Sequence, residues 1–250
     1  MKIIAFLCFF FFFLSPAGAV GPLGPADSLT REVKGIYTSF GGWFEESLHD
    51  HRGEYVLAKK SLYTELGWGI PRQAMFYGRL GITSLTIAGA LASPGQPGQE
   101  DFKDSGYFLA LGGAYLTFLT ERLTAVFSLK GTYHWQDFEK QVPPAAGGVS
   151  STIKISELWD VTAGAALACL LPGRGKIYLG PSFTYSSFRV TPWPARNDIN
   201  MATQAAWWTG KERWGIFAGL DYPLPRGFRL NLEGRYSGRF AVGGGVAYVY

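Results

Sequence analysis

Residues 241–250 read AVGGGVAYVY and end the chain on an aromatic ring. A β-strand turns successive side chains to opposite faces. Val242, Gly244, Val246, Tyr248 and Tyr250 therefore share one face, and Ala241, Gly243, Gly245, Ala247 and Val249 share the other. The stretch before it, FRLNLEGRY at 228–236, alternates more sharply. Phe228, Leu230, Leu232, Gly234 and Tyr236 are interleaved with Arg229, Asn231, Glu233 and Arg235. A strand apolar on one face and charged on the other separates two different media.

Working back along the chain, the same period of two recurs. The cleanest case is 123–136, where Leu123, Ala125, Phe127, Leu129, Gly131, Tyr133 and Trp135 alternate with Thr124, Val126, Ser128, Lys130, Thr132, His134 and Gln136. At about 3.4 Å per residue and a tilt of about 45°, such a strand rises roughly 30 Å, the thickness of a bilayer core. Strands are expected at about 33–44, 55–68, 75–87, 107–119, 123–136, 155–171, 176–190, 213–222, 228–236 and 241–250. That makes ten, with eight or twelve left open by the weak alternation of the first and fourth. Short turns at 69–74, 120–122, 172–175 and 223–227 alternate with long connections at 45–54, 90–105, 137–154 and 191–212. Short turns on one side, longer loops on the other and an even strand count describe an all-β, closed antiparallel transmembrane β-barrel. Its aromatic girdles would be Trp68, Tyr178, Tyr222 and Tyr250 at the short-turn end, and Trp43, Tyr133, Trp135, Trp159 and Tyr185 toward the long-loop end. A soluble sandwich or binding barrel with its apolar face turned inward has the same period.

The front of the chain separates these readings. Lys2 precedes an apolar run from Ile3 to Leu14 that includes Phe9 to Phe13, and Ala17-Gly18-Ala19 supplies a cleavage site. The run is shorter than the roughly 20 residues that span a bilayer, so 1–19 reads as a secretory signal peptide. Residues 20–32 follow as a flexible leader, and 33–250 as the barrel domain. Cleavage removes Cys8 and Lys2, leaving Cys169 alone and a formal charge of +3 in place of +4. No intrachain disulfide can then form, and nothing in the charge calls for nucleic acid. Aromatics at 16% and 33 glycines exceed what soluble domains use.

A signal peptide, alternating strands and a terminal aromatic residue resemble the outer-membrane β-barrel proteins of Gram-negative bacteria. The resemblance implies a place in the outer membrane, lipid around the wall and a monomeric barrel. It also makes Gly244, Val246, Tyr248 and Tyr250 a signal read by the barrel-assembly machinery. The short turns carry Arg72, Arg122, Arg174, Lys176 and Arg226 against Glu121 alone, which suits an anionic lipid surface.

With apolar faces outward, the lumen receives Lys59, Glu65, Arg79, Lys130, Asp160, Asp221, Arg229, Glu233 and Arg235. Charges of both signs in a narrow interior must pair. One reading is a plugged barrel with a structural or surface-interaction role. Its long loops, bearing Trp193, Trp207 and Trp208, would meet any extracellular ligand. The alternative is a narrow, porin-like channel for small solutes. Catalysis has less support: Asp101, Asp104 and His49-Asp50-His51 do not follow the omptin protease pattern. His134 followed by Gln136 lacks the His-x-Ser of the lipid A deacylases. His49 and His51 with Glu45 and Glu46 carry metal-capable donors, but no metal or other cofactor is expected.

Overall fold

The computed structural model of the protein describes residues 35–50, 54–70, 73–87, 102–142, 151–193, 205–211 and 214–250. The expected signal peptide and leader, Arg72, His51 and Asp101 lie outside them. Twelve strand segments form one sheet. They are β1 (Gly35–Asp50), β2 (Glu54–Ile70), β3 (Ala74–Ile87), β4 (Phe102–Phe118), β5 (Leu123–His134), β6 (Phe138–Val142), β7 (Ser151–Leu170), β8 (Lys176–Trp193), β9 (Ala206–Gly210), β10 (Trp214–Pro223), β11 (Phe228–Tyr236) and β12 (Phe240–Val249).

All neighbours are antiparallel, and β12 pairs with β1 from Tyr37↔Val249 to Glu45↔Ala241 to close the sheet. Two of the ten walls are interrupted. β6 continues the line of β5 along β7, and β9 continues the line of β10 along β8. The expected count of ten therefore holds, as a closed antiparallel β-barrel.

The wall changes strand number with height. The β11–β12 hairpin turns back at 237–239, where Gly238 takes a φ of 82°. Above that turn β1 has lost its β12 partner. β9 takes the place, pairing His49↔Gly210 and Asp50↔Thr209, while Lys211 N–H donates to Leu48 O at 2.9 Å. On the far side β4 and β6 meet where Glu139 N–H donates to Asp104 Oδ2 at 2.6 Å. A ten-strand wall thus narrows to a collar of eight segments. Eight strands give an interior that side chains just fill.

Polarity inverts at the same height. In the lower barrel the outward residues are apolar and exposed, as with Leu66, Leu80, Leu111, Leu129 and Leu179, and the inward ones include Glu65, Arg79 and Lys130. In the collar the outward positions are Lys60, Lys103, Ser105, Glu139 and Arg189. The inward ones there are Leu57, Leu85, Ile87, Phe102, Phe138, Ile153 and Ile155, all at most 1% exposed. A bulge in β7 sets the parity. The register shifts between Ser156 and Trp159, with Glu157 at a φ of 53°. Odd residues Ile153 and Ile155 face inward above it, and even residues Leu158 and Asp160 below it.

The lower part is thus built for lipid outside, and the upper part for water outside and a hydrophobic core within. This explains strands of up to 20 residues, where about 9–11 suffice to cross a bilayer. It also corrects the sequence reading, which places 45–50, 102–105, 138–142, 151–154 and 191–193 in loops. Those residues are strand whose outward face has turned polar. An arginine scan checks the inversion. Leu129→Arg, in the lipid belt, is expected to cost about 2–4 kcal/mol in a vesicle unfolding titration, and Ser105→Arg, on the collar, within about 0.5 kcal/mol of nothing.

The lumen as candidate functional site

Three tiers fill the interior. At the short-turn end Tyr37, Met75 and Tyr77 pack with Val249, beside a cluster of Ala114, Val126, Ala166, Ala168, Tyr178 and Phe217. Arg229 sits at this mouth with both ends of its guanidinium on Asp221, Nε to Oδ1 at 3.2 Å and the terminal nitrogen to Oδ2 at 2.6 Å. These two residues are diagonal neighbours on one face, because Asp221↔Asn231 and Pro223↔Arg229 are the direct cross-strand pairs.

The middle tier is ionic. Arg79 Nε donates to Glu65 Oε2, its cross-strand partner, and the guanidinium lies 4.7 Å from the ring centroids of both Tyr63 and Tyr77. Lys59 Nζ lies 2.9 Å from Glu45 and 3.6 Å from Asp160. Arg235 reaches Glu45 at 3.8 Å and donates to Thr184 Oγ1 at 2.8 Å. Tyr178 donates its hydroxyl proton to Glu233 at 2.8 Å. Lys130 is buried at the same height, beside the Trp43, Tyr63, Phe108 cluster. The cavity left among these groups is about 30 Å³. That is room for about two water molecules. Trp43 Nε1, His134 Nδ1 and Asp160 Oδ1 belong to its lining and lack protein hydrogen-bond partners, so water is what the cavity suits.

The top tier is the collar core, where Trp208 from β9 packs on Phe188 at 5.6 Å between ring centroids. Both are fully buried. Below them His49 Nε2 lies 3.0 Å from Ser186 Oγ, under the Phe188 ring. Gly210 permits this contact, since a Cβ there would meet Ser186 Oγ at 2.6 Å. Ser–His is a nucleophile–base pairing in outline. Here the far nitrogen of His49 meets Ser47 at 3.4 Å rather than a carboxylate, and the pair is buried under the core. It serves as a tie between β1 and β8.

All nine lumen residues expected from the sequence point inward and are buried. Glu45, His49, His134 and Lys176 join them as buried polar groups that the nine missed. The first two were missed because the expected first strand stopped at Phe44. The metal-capable group disperses, with Glu45 and His49 facing inward and Glu46 outward to Arg239 at 3.3 Å. Among the described residues no three His, Cys, Asp or Glu side chains gather into a metal-binding group.

Trp68, Tyr133, Trp135 and Tyr222 stand exposed on the outer wall, and Trp159 is half-buried there against Tyr185. Tyr178 and Trp43 do not belong with them. Both point into the lumen, because each shares parity with lumen residues on its own strand. Trp208, expected in a loop, is collar core, whereas Trp207 is exposed beside it. Gly244, Val246, Tyr248 and Tyr250 lie on the outward face at the C-terminal end of the closing strand.

No family model matches the chain, and no curated protein matches it. Solved structures do. The transport unit of the autotransporter AIDA-I from Escherichia coli aligns with a TM-score of 0.48 at 11% identity, over 89% of this chain and 92% of that one. An outer membrane channel from Pseudomonas putida F1 aligns at 0.46 and 9% identity, over 91% and 99%. Ail of Yersinia pestis, in complex with the heparin analogue sucrose octasulfate, aligns at 0.34 and 10%, over 86% and 99%. All three TM-scores are below 0.5, and no role passes from these proteins to this chain. The geometry stands by itself: ten closed strands, an apolar belt between two aromatic rows, and charges held inside. The protein is a transmembrane β-barrel.

Proposed function

We propose that this barrel is closed to solutes and acts at the outer surface, with the collar as a rigid base for the connections above it. The collar core carries this reading. A water path would have to pass Phe102, Phe138, Phe188 and Trp208, all fully buried where the wall narrows to eight segments. The ionic tier below supports it, because its charges pair around a cavity with room for about two waters. The surface role is that of a non-enzymatic, monomeric barrel surrounded by lipid, with any extracellular ligand meeting the exposed rim near Trp207. The outward residues of β12 would serve the assembly machinery during insertion.

Planar-bilayer recording tests the closure. The protein, folded in lipid and verified by a heat-modifiable band on a denaturing gel, is expected to give no steady conductance. Steady unitary currents from the unaltered protein would replace this reading with the narrow-channel one.

A further inference from the structure

The short-turn end of the barrel carries a feature that the lumen does not use. Three neighbouring turns project exposed arginines: Arg122 between β4 and β5, Arg174 between β7 and β8, and Arg226 between β10 and β11. Glu121 is the one acid exposed with them among the described residues of these turns. Two of the three arginines sit in backbone that resists them. Arg174 has a φ of 65° and Arg226 a φ of 64°, each next to a glycine of positive φ, Gly173 at 82° and Gly227 at 81°. Such paired left-handed positions are where Gly, Asn or Asp ordinarily stand, and a long side chain there is strained. The arginine is the second of the left-handed pair at 174 and the first at 226, so one shared turn geometry does not account for both, and strain accepted in two turns points to a use for the side chain.

The depth of these residues says what the use is. The Tyr222 hydroxyl lies 3.6 Å from where a Cβ on Gly173 would stand, so the β7–β8 turn rests on the aromatic row at the edge of the apolar belt. Phe228, Tyr248 and Tyr250 continue that row beside the β10–β11 turn. Cations just beyond an aromatic girdle stand at the height of lipid phosphates. We infer that the arginine turns form a contact surface for anionic phospholipid headgroups of the leaflet at the short-turn end. The arginines hold the barrel at its depth through charge, and the girdle holds it through burial.

The test compares unfolding in urea in two kinds of vesicle, pure phosphatidylcholine and phosphatidylcholine containing one part in three of phosphatidylglycerol. The unaltered protein is expected to gain in the anionic vesicles, at about fivefold in the folded-to-unfolded ratio per arginine. The gain should shrink as salt rises toward 1 M, where the screening length falls to about 3 Å. The double variant Arg174→Gly, Arg226→Gly should lose about twentyfold or more of that gain while matching or exceeding the parent in phosphatidylcholine, since glycine relieves the strain. Arg174→Lys, Arg226→Lys keeps the charge and should keep the gain. An equal gain for the parent and the glycine variant, or a gain insensitive to salt, would overturn the inference. Because each protein is compared with itself in two lipids, a general loss of stability is not mistaken for loss of headgroup contact.

Discussion

Arg79→Met is expected to cost the folded barrel about 3–5 kcal/mol, and Glu65→Leu added to it should recover most of that loss. Glu65 and Arg79 are 1% and 2% exposed and are direct cross-strand neighbours on β2 and β3. The pair is held on both sides by the rings of Tyr63 and Tyr77. Removing the guanidinium leaves a buried carboxylate without the cation it pairs with. Oε1 of Glu65 already lacks a hydrogen-bond partner, so the Arg79 contact carries the pairing for this group. Replacing both residues removes the charge and the need for it, which is why the double variant should approach the parent. A urea titration in vesicles reads both. If the double variant fell as far as the single one, packing on the two tyrosines rather than charge compensation would set the stability of this tier.

The second large effect is at the collar. Trp208→Ala should lower stability by about 3–5 kcal/mol, the usual loss when a fully buried Trp is truncated. The change in barrier is more telling than the change in stability. Trp208 arrives on a five-residue strand, β9, and packs on Phe188 of the neighbouring wall. Trp208→Ala with Phe188→Ala removes two of the largest side chains from the plug. Intermittent conductance is then expected in planar bilayers, against none expected from the parent. A double variant that is less stable yet equally silent would move the seal down to the ionic tier.

How much of this was legible in the sequence depends on where each strand lies relative to the membrane. In the lipid belt one face is apolar and the other charged, so the period of two marks strands such as 123–136 and 228–236 without ambiguity. The nine inward charges follow from parity alone. Above the belt both rules change at once. Leu85, Ile87, Ile153 and Ile155 alternate with Ser84, Thr86, Thr152 and Lys154 as the belt strands do, but with the apolar face turned inward. Short alternating stretches beside Gly and Pro then resemble loops, as at 45–50, 102–105, 138–142 and 151–154, whereas the collar ends of the strands expected at 55–68 and 75–87 keep their strand signal.

Glu45 and His49 were lost with the first of these stretches, and the Lys59–Glu45 pair with them. The narrowing to eight segments had no local signal, since it follows from a nine-residue β11 ending below its neighbours. Tyr178 failed for a different reason. An aromatic near a strand end fits a girdle by position, but its neighbours Ile177 and Leu179 are the exposed ones, and parity places Tyr178 inside on Glu233. Which charge meets which depends on cross-strand register, which one strand's pattern does not contain.

A single strand of this barrel meets lipid along its lower outward face and water along its upper one. The most direct measurement is a single-cysteine scan of β4 in vesicles, on a background with the free Cys169 replaced by Ala. Cysteines replace Lys103, Ser105, Tyr107, Leu109, Leu111 and Tyr115 in turn, each bearing a fluorophore read against lipid-borne and water-borne quenchers. Labels at 109, 111 and 115 should be quenched from the lipid alone, those at 103 and 105 from the water alone, with the changeover near 107. Water-side quenching at all six positions, or lipid-side quenching that continues through 103, would contradict the account.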